Sequence, residues 1–450
     1  MLLPSLAVFR HRAYAHYWVM RQLISAARQM TAVAIGWQVY DLARATRSVE
    51  ESALILGFVG LAQFLPVLAL SLVGGQAADR FDRKMILIVS NLVRIAATLG
   101  LVATIAFAPR FAMAAIFSAA VVFGAVNAFT PAASNSLYPT LVPRAEMPQA
   151  IAWNSLGFQV AAISGPAVGG LLFIFGANTV YGVAAAMTFA AVLSIATAKT
   201  PVQRPIAGVR GLKMVIEGLR YVRDNKIVFG AISLDLIVVL FGGATALLPV
   251  YARDILHTGA DGLGLLRAAP AAGAAIVAFL LAARPITKRV GPRLLAAVAV
   301  FGLAMLIFAF STWFWLSMAA LAVSGAADMI SVYIRQSLIQ FATPDGMRGR
   351  VSSVSFIFIS ASNELGEFES GVAARFLGPV GAVVLGGAVA IATALAWRGW
   401  FPALARADSF EGSALGLVAT DPARIAPRLP EHDAQPAAGG ETASPAAKGS

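Results

Sequence analysis

The residues of this chain that could do chemistry are a few ionisable side chains inside long apolar segments. The densest group lies in the eleventh of these segments, where Glu364, Glu367 and Glu369 follow one another closely. Glu364 and Glu367 are three residues apart and therefore share a helical face with Ser360 and Gly371. Two close carboxylates in a low-dielectric site cannot both ionise easily, so this pair could bind and release a proton during a transport cycle.

Other charged and polar residues also fall near the middle of apolar segments. A charge inside hydrocarbon costs at least about 2.5 kcal/mol, so each such residue is a candidate for function. Ser324, Asp328, Ser331 and Arg335 follow helical spacing and form one polar stripe, which cannot face lipid. With the glutamate pair, the predicted substrate and proton pathway contains Arg28, Asn127, Asp235, Asp328, Arg335, Glu364 and Glu367.

A purely structural role for these charges stays open. Arg28 could pair with Asp235, and Asp328 with Arg335. The glutamates could bind backbone groups or Arg267. In that case the buried charges would be ion pairs that hold helices together and would not move protons.

Other chemistry has little support in the sequence. Without cysteine there are no disulfides and no thiolate metal sites. The four histidines, His11, His16, His257 and His432, lie at segment ends or in loops, so we expect neither a histidine proton relay nor a metal site. We find no Walker loop and no nucleophile elbow. We therefore expect no enzyme activity and no cofactor.

The elements that must position these residues are membrane helices. The 450 residues are 59% hydrophobic and 12% charged, and the mean hydropathy is +0.77. Apolar runs recur that are long enough to cross about 30 Å of hydrocarbon as helices. Twelve spans are predicted: 14–42, 52–78, 85–108, 111–138, 149–175, 177–198, 227–252, 261–283, 293–311, 313–341, 350–375 and 378–401.

The net charge of +12 would suggest nucleic acid in a soluble protein, but its placement points to a membrane instead. Most Lys and Arg outside the spans lie in every second connection, which predicts that those connections and both termini are cytoplasmic. The connection 199–226 has an amphipathic stretch that suits a helix on the anionic inner leaflet. We therefore predict a six-helix bundle at 1–198, a linker at 199–226, a second bundle at 227–401, and a disordered cytoplasmic tail at 402–450.

Two loops at matching positions indicate that the halves are duplicated. The loop at 74–84 contains two glycines and then alternating acids and cations, and a basic loop at 286–293 follows the eighth span about 209 residues later. Lys288 of the second loop stands where Asp79 would align. The residues of the first loop that we expect to act as a gate are Gly75, Asp79, Arg80, Asp82, Arg83 and Lys84.

The first loop resembles motif A of the major facilitator superfamily. In the fifth span, Gly165, Pro166, Gly169 and Gly170 resemble motif C of the drug and proton antiporters, although simple helix packing through small residues would explain them equally well. Segments at 21–25, 37–40, 63–66, 139–143 and 347–351 are similar to the enterobactin-exporter and macrolide-efflux branch, the transmembrane secretion effector family.

The resemblance implies an all-α fold of twelve transmembrane helices in two six-helix halves, with a central cavity and export by alternating access. We expect a monomeric antiporter of the bacterial inner membrane that exchanges protons for small amphipathic molecules such as drugs or siderophores. Its partners would be that substrate, protons and the lipid bilayer, and not nucleic acid. An importer or facilitator of small anions with Arg28 and Arg21 as a clamp is the alternative.

Overall fold

The computed structural model describes residues 6–200 and 212–410, and within these residues the chain is helical without strands. The helices that form the first six spans have the bounds Arg12–Arg44, Val49–Arg80, Arg83–Phe107, Ala112–Leu137, Met147–Leu172 and Ala177–Thr197. A linker helix, Leu212–Asp224, follows. The second set has the bounds Lys226–Phe241, Ala260–Ala283, Val290–Phe310, Phe314–Ala342 and Asp345–Trp400.

Ten of the described helical segments are long and apolar enough to cross a membrane. The first span is not among them, since Arg28 and several glutamines make it more polar than the others. The helix Asp345–Trp400 counts once, although Gly378, with φ 74°, breaks it into two arms. Adding the first span and counting the two arms separately gives twelve spans within the described residues. The predicted fold class of twelve helices in two halves is confirmed.

Local sequence explains where several helices begin. Ser48 and Glu51 form a capping box at the start of the second span. The Asp82 carboxylate accepts hydrogen bonds from the Lys84 and Met85 amides at the start of the third span, and the Asn225 side chain caps the seventh span in the same way. The polar residues between apolar runs therefore set the boundaries that the sequence predicted.

The seventh span is less regular than expected. Its helix ends at Phe241, and Gly242 and Gly243 interrupt it before a short 3-10 turn and a π-helical turn at Tyr251–Ile255 complete the crossing. Residues 227–252 were predicted as one helix. Broken helices of this kind are tolerated where they are buried in protein, and Leu247, Leu248 and the residues around them are indeed buried.

The bundle has two distinct ends. We call the end that carries the linker helix and the starts of the first and fifth spans the linker end, and the end that carries the loops 45–48 and 256–259 the far end. At the far end one hydrophobic core contains residues of both halves, such as Tyr40 and Tyr251. At the linker end the core is divided into separate clusters of each half. The halves are therefore joined at the far end and separated at the linker end.

The linker helix packs against the second half. Glu217 pairs with Arg350 at 2.7 Å, the Tyr221 hydroxyl donates to the Ala342 carbonyl at 2.7 Å, and Val222 is buried. Ile216 and Leu219, two apolar residues of this amphipathic helix, are exposed. Protein contacts thus cover one part of the amphipathic helix and leave the other available to lipid; residues 209–211 of the predicted stretch lie outside the described residues.

Residues 402–410 differ from the prediction of a tail that begins at 402. They fold back onto the second half, where Leu404 and Ala407 are buried and Phe410 stacks on Phe341. The Asp408 carboxylate accepts a hydrogen bond from the Arg289 amide beside the ninth span. The apolar residues of this short segment find partners only in the folded bundle, so composition alone misassigned it. Residues 411–450 lie outside the described residues.

Candidate functional site

Four charged residues meet where the two halves join. Arg28 of the first span interacts electrostatically with Glu364 of the eleventh span, and Arg267 of the eighth span interacts with both Glu364 and Glu367. The Arg267 guanidinium also lies 3.5 Å from the Ala32 carbonyl of the first span. The predicted carboxylate pair is therefore placed against cations from both halves.

A glycine lets the eleventh span come close to the second at this point. A Cβ atom at Gly60 would lie 2.8 Å from the Glu367 Cβ and 3.2 Å from its Oε2. One turn earlier, a Cβ at Gly57 would lie 3.0 Å from the Gly371 Cα. Only glycine permits this approach, so the carboxylate of Glu367 is held directly in the seam between the halves.

Arg28 lies in a different environment from the other members of the cluster. Its side chain is exposed, although it begins about 24 Å along the first helix from Arg12 and faces Glu364. The Glu364 and Glu367 side chains are half-buried. Because the halves separate toward the linker end, we interpret this exposure as contact with an open cleft that reaches the charged cluster.

The second half contains a buried ion pair that is not one of the pairs left open by the sequence. Asp235 pairs with Arg335 at 2.6 Å, and both side chains are at most 10% exposed. Arg335 also donates to the Ser331 hydroxyl at 2.9 Å. Asp328 interacts electrostatically with both partners. Asp235 therefore pairs with Arg335 and not with Arg28, and the pair is buried between the seventh and tenth spans.

A buried cation of the first half escaped the sequence analysis. Arg94 in the third span donates to the Asn127 Oδ1 at 2.8 Å, and its guanidinium lies 5.4 Å from the centre of the Phe123 ring. It interacts electrostatically with Arg28. Arg94 lies about 16 Å into an apolar segment, so the argument that singled out Arg28 from the sequence would also have singled out Arg94.

The residues that resemble motif A make contacts within the first half. Arg83 donates to the Ser136 carbonyl at the end of the fourth span, and Lys84 donates to the Ala196 and Ala198 carbonyls at the end of the sixth. Cations at helix C-termini satisfy carbonyls that have no partner in the helix. Gly75 faces open space and Arg80 is exposed.

The glycines that resemble motif C face two other spans. Cβ atoms at Gly165 and Gly169 would lie 2.7 and 2.8 Å from Gln29 and Met30 of the first span, and one at Gly170 would lie 2.4 Å from the Ala260 carbonyl of the eighth span. Pro166 is buried within the helix. The fifth span therefore closes tightly on both halves near the far end.

Side-chain ion pairs link the halves at the far end. Asp254 of the seventh span accepts a hydrogen bond from the Tyr40 hydroxyl and pairs with Arg44 at 3.3 Å. Arg253 pairs with Asp41 of the first span. These groups form a polar layer outside the hydrophobic far-end core.

The described residues contain no group of three or more His, Asp or Glu that could hold a metal ion. His11 contacts Glu146 at 3.2 Å, and His16 lies 3.3 Å from the Ser194 hydroxyl. His257 lies in a loop, and His432 lies outside the described residues.

The fold is that of the major facilitator class of membrane transporters. Solved structures of low sequence identity share this fold. One is a POT family transporter in complex with 5-aminolevulinic acid, which has a TM-score of 0.67 and 10% identity and covers 87% of this chain and 96% of its own. Another is a bacterial homologue of the iron transporter ferroportin, which has a TM-score of 0.65 and 16% identity and covers 87% of this chain and 99% of its own.

The chain belongs to the transmembrane secretion effector family, whose model matches residues 3–416. The relatives include the enterobactin exporter EntS of Escherichia coli O1:K1, which is 27% identical over 384 residues, 83% of this chain and 86% of that protein. This protein is therefore a multi-pass membrane protein and a secondary transporter of that family.

Proposed function

We propose that this transporter is a proton-coupled exporter of small amphipathic molecules, acting as a monomer in the bacterial inner membrane. The observation that carries the proposal is the position of the carboxylate pair in the seam, where Glu367 packs on Gly60 of the first half and Glu364 interacts electrostatically with Arg28. Coupling needs a titratable group whose surroundings change when the halves move. A carboxylate in the seam meets this requirement, because any rocking of the halves alters its distance from Arg28.

The orientation follows from the distribution of basic residues. The connection 199–226 contains seven Lys and Arg, and its helix Leu212–Asp224 lies at the linker end. The positive-inside rule places that end, with both termini, in the cytoplasm. The open cleft then faces the cytoplasm, which is the state from which an exporter loads its substrate.

The substrate class is supported by the family and by the relatives. The family is one of secretion, and relatives that align with most of the chain export enterobactin. We propose siderophores or drugs of comparable amphipathic character. Motif A would act as a latch at the cytoplasmic end, and Gly165, Pro166, Gly169 and Gly170 would seal the opposite end.

Import or facilitated passage of small anions is the second candidate, because Arg28 is exposed to the cleft and could bind an anion. The two candidates differ in their energy source. A facilitator follows the substrate gradient alone, whereas an antiporter requires a pH gradient.

The test is efflux of a panel of fluorescent amphipathic drugs from proteoliposomes with and without a pH gradient. We expect the wild type to need the gradient and Glu367→Gln to lose at least about tenfold in gradient-driven rate, since a neutral amide cannot carry the proton. Glu369→Gln is the matched control: it makes the same change two residues away, and no charge interaction links Glu369 to the cluster within the described residues.

Undiminished gradient-driven efflux by Glu367→Gln would remove that residue from the coupling mechanism. Efflux by the wild type without any gradient would favour the facilitator.

A further inference from the structure

The deep carboxylates of the described bundle all lie in the second half. The acidic residues of residues 1–198 all lie at or near helix ends, and they are Asp41, Glu50, Glu51, Asp79, Asp82 and Glu146. Arg28 and Arg94 lie deep within that half. The second half supplies the deep carboxylates instead. Arg28 and Arg94 therefore have no carboxylate partner from their own half.

Arg94 is held without a counter-ion in contact with it. Its residue surface is 7% exposed, and its Nε forms no hydrogen bond within the described part of the chain. Within the described residues its side-chain contacts are with the Asn127 Oδ1 and the face of the Phe123 ring. A buried arginine with neutral partners keeps its positive field, which extends toward the cleft through Asn127.

The bond from Arg94 also fixes which way the Asn127 amide points. Arginine has only N–H donors, so the amide atom it contacts must be the oxygen. The Asn127 NH2 group therefore points away from Arg94. Asn127 is half-buried and Arg28 is exposed, so neither side chain is sealed from solvent. Because the Asn127 oxygen is already bonded to Arg94, the two side chains offer a ligand only donors and positive charge.

We propose that Arg28 and Asn127, positioned and charged by Arg94, form a binding site for an organic oxyanion with two neighbouring oxygens, such as a carboxylate or a catecholate. A planar guanidinium matches such a group with two parallel hydrogen bonds. Without substrate, Arg28 interacts electrostatically with Glu364 of the other half; the substrate anion takes over this interaction. The site names the substrate class of the proposed exporter and rests on that function for its role in transport.

The test measures binding at equilibrium, without a pH gradient. Purified protein in detergent is unfolded thermally with increasing 2-naphthoate, a carboxylate, or naphthalene-2,3-diol, a catechol, and with 2-naphthamide as the neutral counterpart. We expect naphthoate, the diol or both to raise the unfolding temperature of the wild type in a saturable way, and the amide to have no such effect. Which probe acts distinguishes the two oxyanion chemistries.

Asn127→Asp separates a binding role from a structural one. The new carboxylate would pair with Arg94, so the variant without ligand should unfold at a higher temperature than the wild type. It should nevertheless bind the acidic probe at least about tenfold more weakly, because a donor and the positive field are lost together. Arg28→Gln should weaken binding to a similar extent, and Arg94→Lys should retain more binding than Arg94→Gln.

Arg110→Gln is the matched control, since Arg110 also lies over a phenylalanine ring, that of Phe111, but at the far end and on the surface. It should bind like the wild type. The proposal is overturned if neither acidic probe stabilises the wild type, if the amide does so equally, or if Asn127→Asp binds with unchanged affinity. Lost gradient dependence of efflux with intact probe binding would overturn the coupling proposal alone.

Discussion

At the level of single residues, the most demanding feature for stability is the buried pair of Asp235 and Arg335. Their oxygen and nitrogen lie 2.6 Å apart, and Ser331 satisfies a further donor of the guanidinium. A buried pair gives little net stability, but the loss of one partner leaves a buried charge uncompensated. The pair therefore fixes the packing of the seventh span against the tenth.

We predict that Arg335→Gln lowers the free energy of unfolding by about 3 to 5 kcal/mol, because Asp235 then lacks its counter-ion. Thermal unfolding of the purified variant in detergent measures the loss. The double variant Asp235→Asn with Arg335→Gln should recover much of it, since no unpaired charge remains. A single variant as stable as the wild type would contradict this account.

The sequence indicated which charged residues lie deep in the membrane, but it did not indicate which of them pair with one another. Spacing along a helix gives the face on which Asp328 and Arg335 lie. The rotation of one helix against another decides whether Arg335 meets Asp235 or Asp328, and no local pattern carries that information. Arg94 was detectable by the same argument as Arg28, yet its bond to Asn127 depends on the packing of the third span against the fourth.

At the level of helices, glycines set how closely the halves approach at the far end. Gly57 and Gly371 are so close that a Cβ at Gly371 would lie 2.7 Å from the Gly57 Cα. Within a membrane, helices associate mainly through such close packing. The contact between the second and eleventh spans is therefore a candidate for the surface that separates when the transporter opens outward.

We predict that Gly371→Leu opens this contact. Overpacking costs about 1 to 3 kcal/mol, enough to change the ratio of closed to open states about fivefold or more. Because the chain has no cysteine, Ala53→Cys supplies a single reporter, and its buried position beside Gly371 makes it slow to label in the closed state. Its reaction with a water-soluble maleimide should be faster in the Gly371→Leu background.

Gly100→Leu is the control for that experiment, since a Cβ at Gly100 meets nothing within 4 Å. Labelling at residue 53 should be the same as in the parent protein. An equal rate in the Gly371→Leu background would show that the second and eleventh spans do not govern access to this end.

Helices were predictable here because long apolar runs alternate with short polar connections. The third span, predicted at 85–108, extends from Arg83 to Phe107. The break at Gly242 and the start of the eleventh span at Asp345, ahead of the predicted residue 350, were not predictable, because both depend on neighbours. The order of residues 402–410 likewise comes from apolar contacts with distant helices.

At the level of the whole molecule, the contacts between the halves are those of one conformation, which is closed at the far end and open at the linker end. The shared core and the ion pairs lie at the far end, while the linker end has separate cores. Alternating access requires a second arrangement in which the far-end contacts are broken. The free-energy difference between the two states therefore depends on these far-end contacts, which mutation can remove one at a time.

Asp254 is the acidic centre of the far-end ion pairs, so its substitution should shift this balance. Asp254→Asn loses the pair with Arg44 and weakens the bond from Tyr40. For partly exposed groups the loss is about 1 kcal/mol, which changes the population ratio about fivefold. The variant should spend more time open at the far end and closed at the linker end.

Spin labels can measure both ends of the same molecule. Cysteines introduced at Thr46 and His257 report the far end, and cysteines introduced at Ala145 and Gln340 report the linker end. The chain has no cysteine of its own, so only these introduced thiols take up the label. In Asp254→Asn, double electron–electron resonance should show longer distances for the first pair and shorter ones for the second. Asp261→Asn removes the same charge at the same end, where no partner from the other half exists among the described residues, and should leave both distributions unchanged. If Asp254→Asn also leaves them unchanged, the hydrophobic core and the glycine contacts alone hold the far end closed.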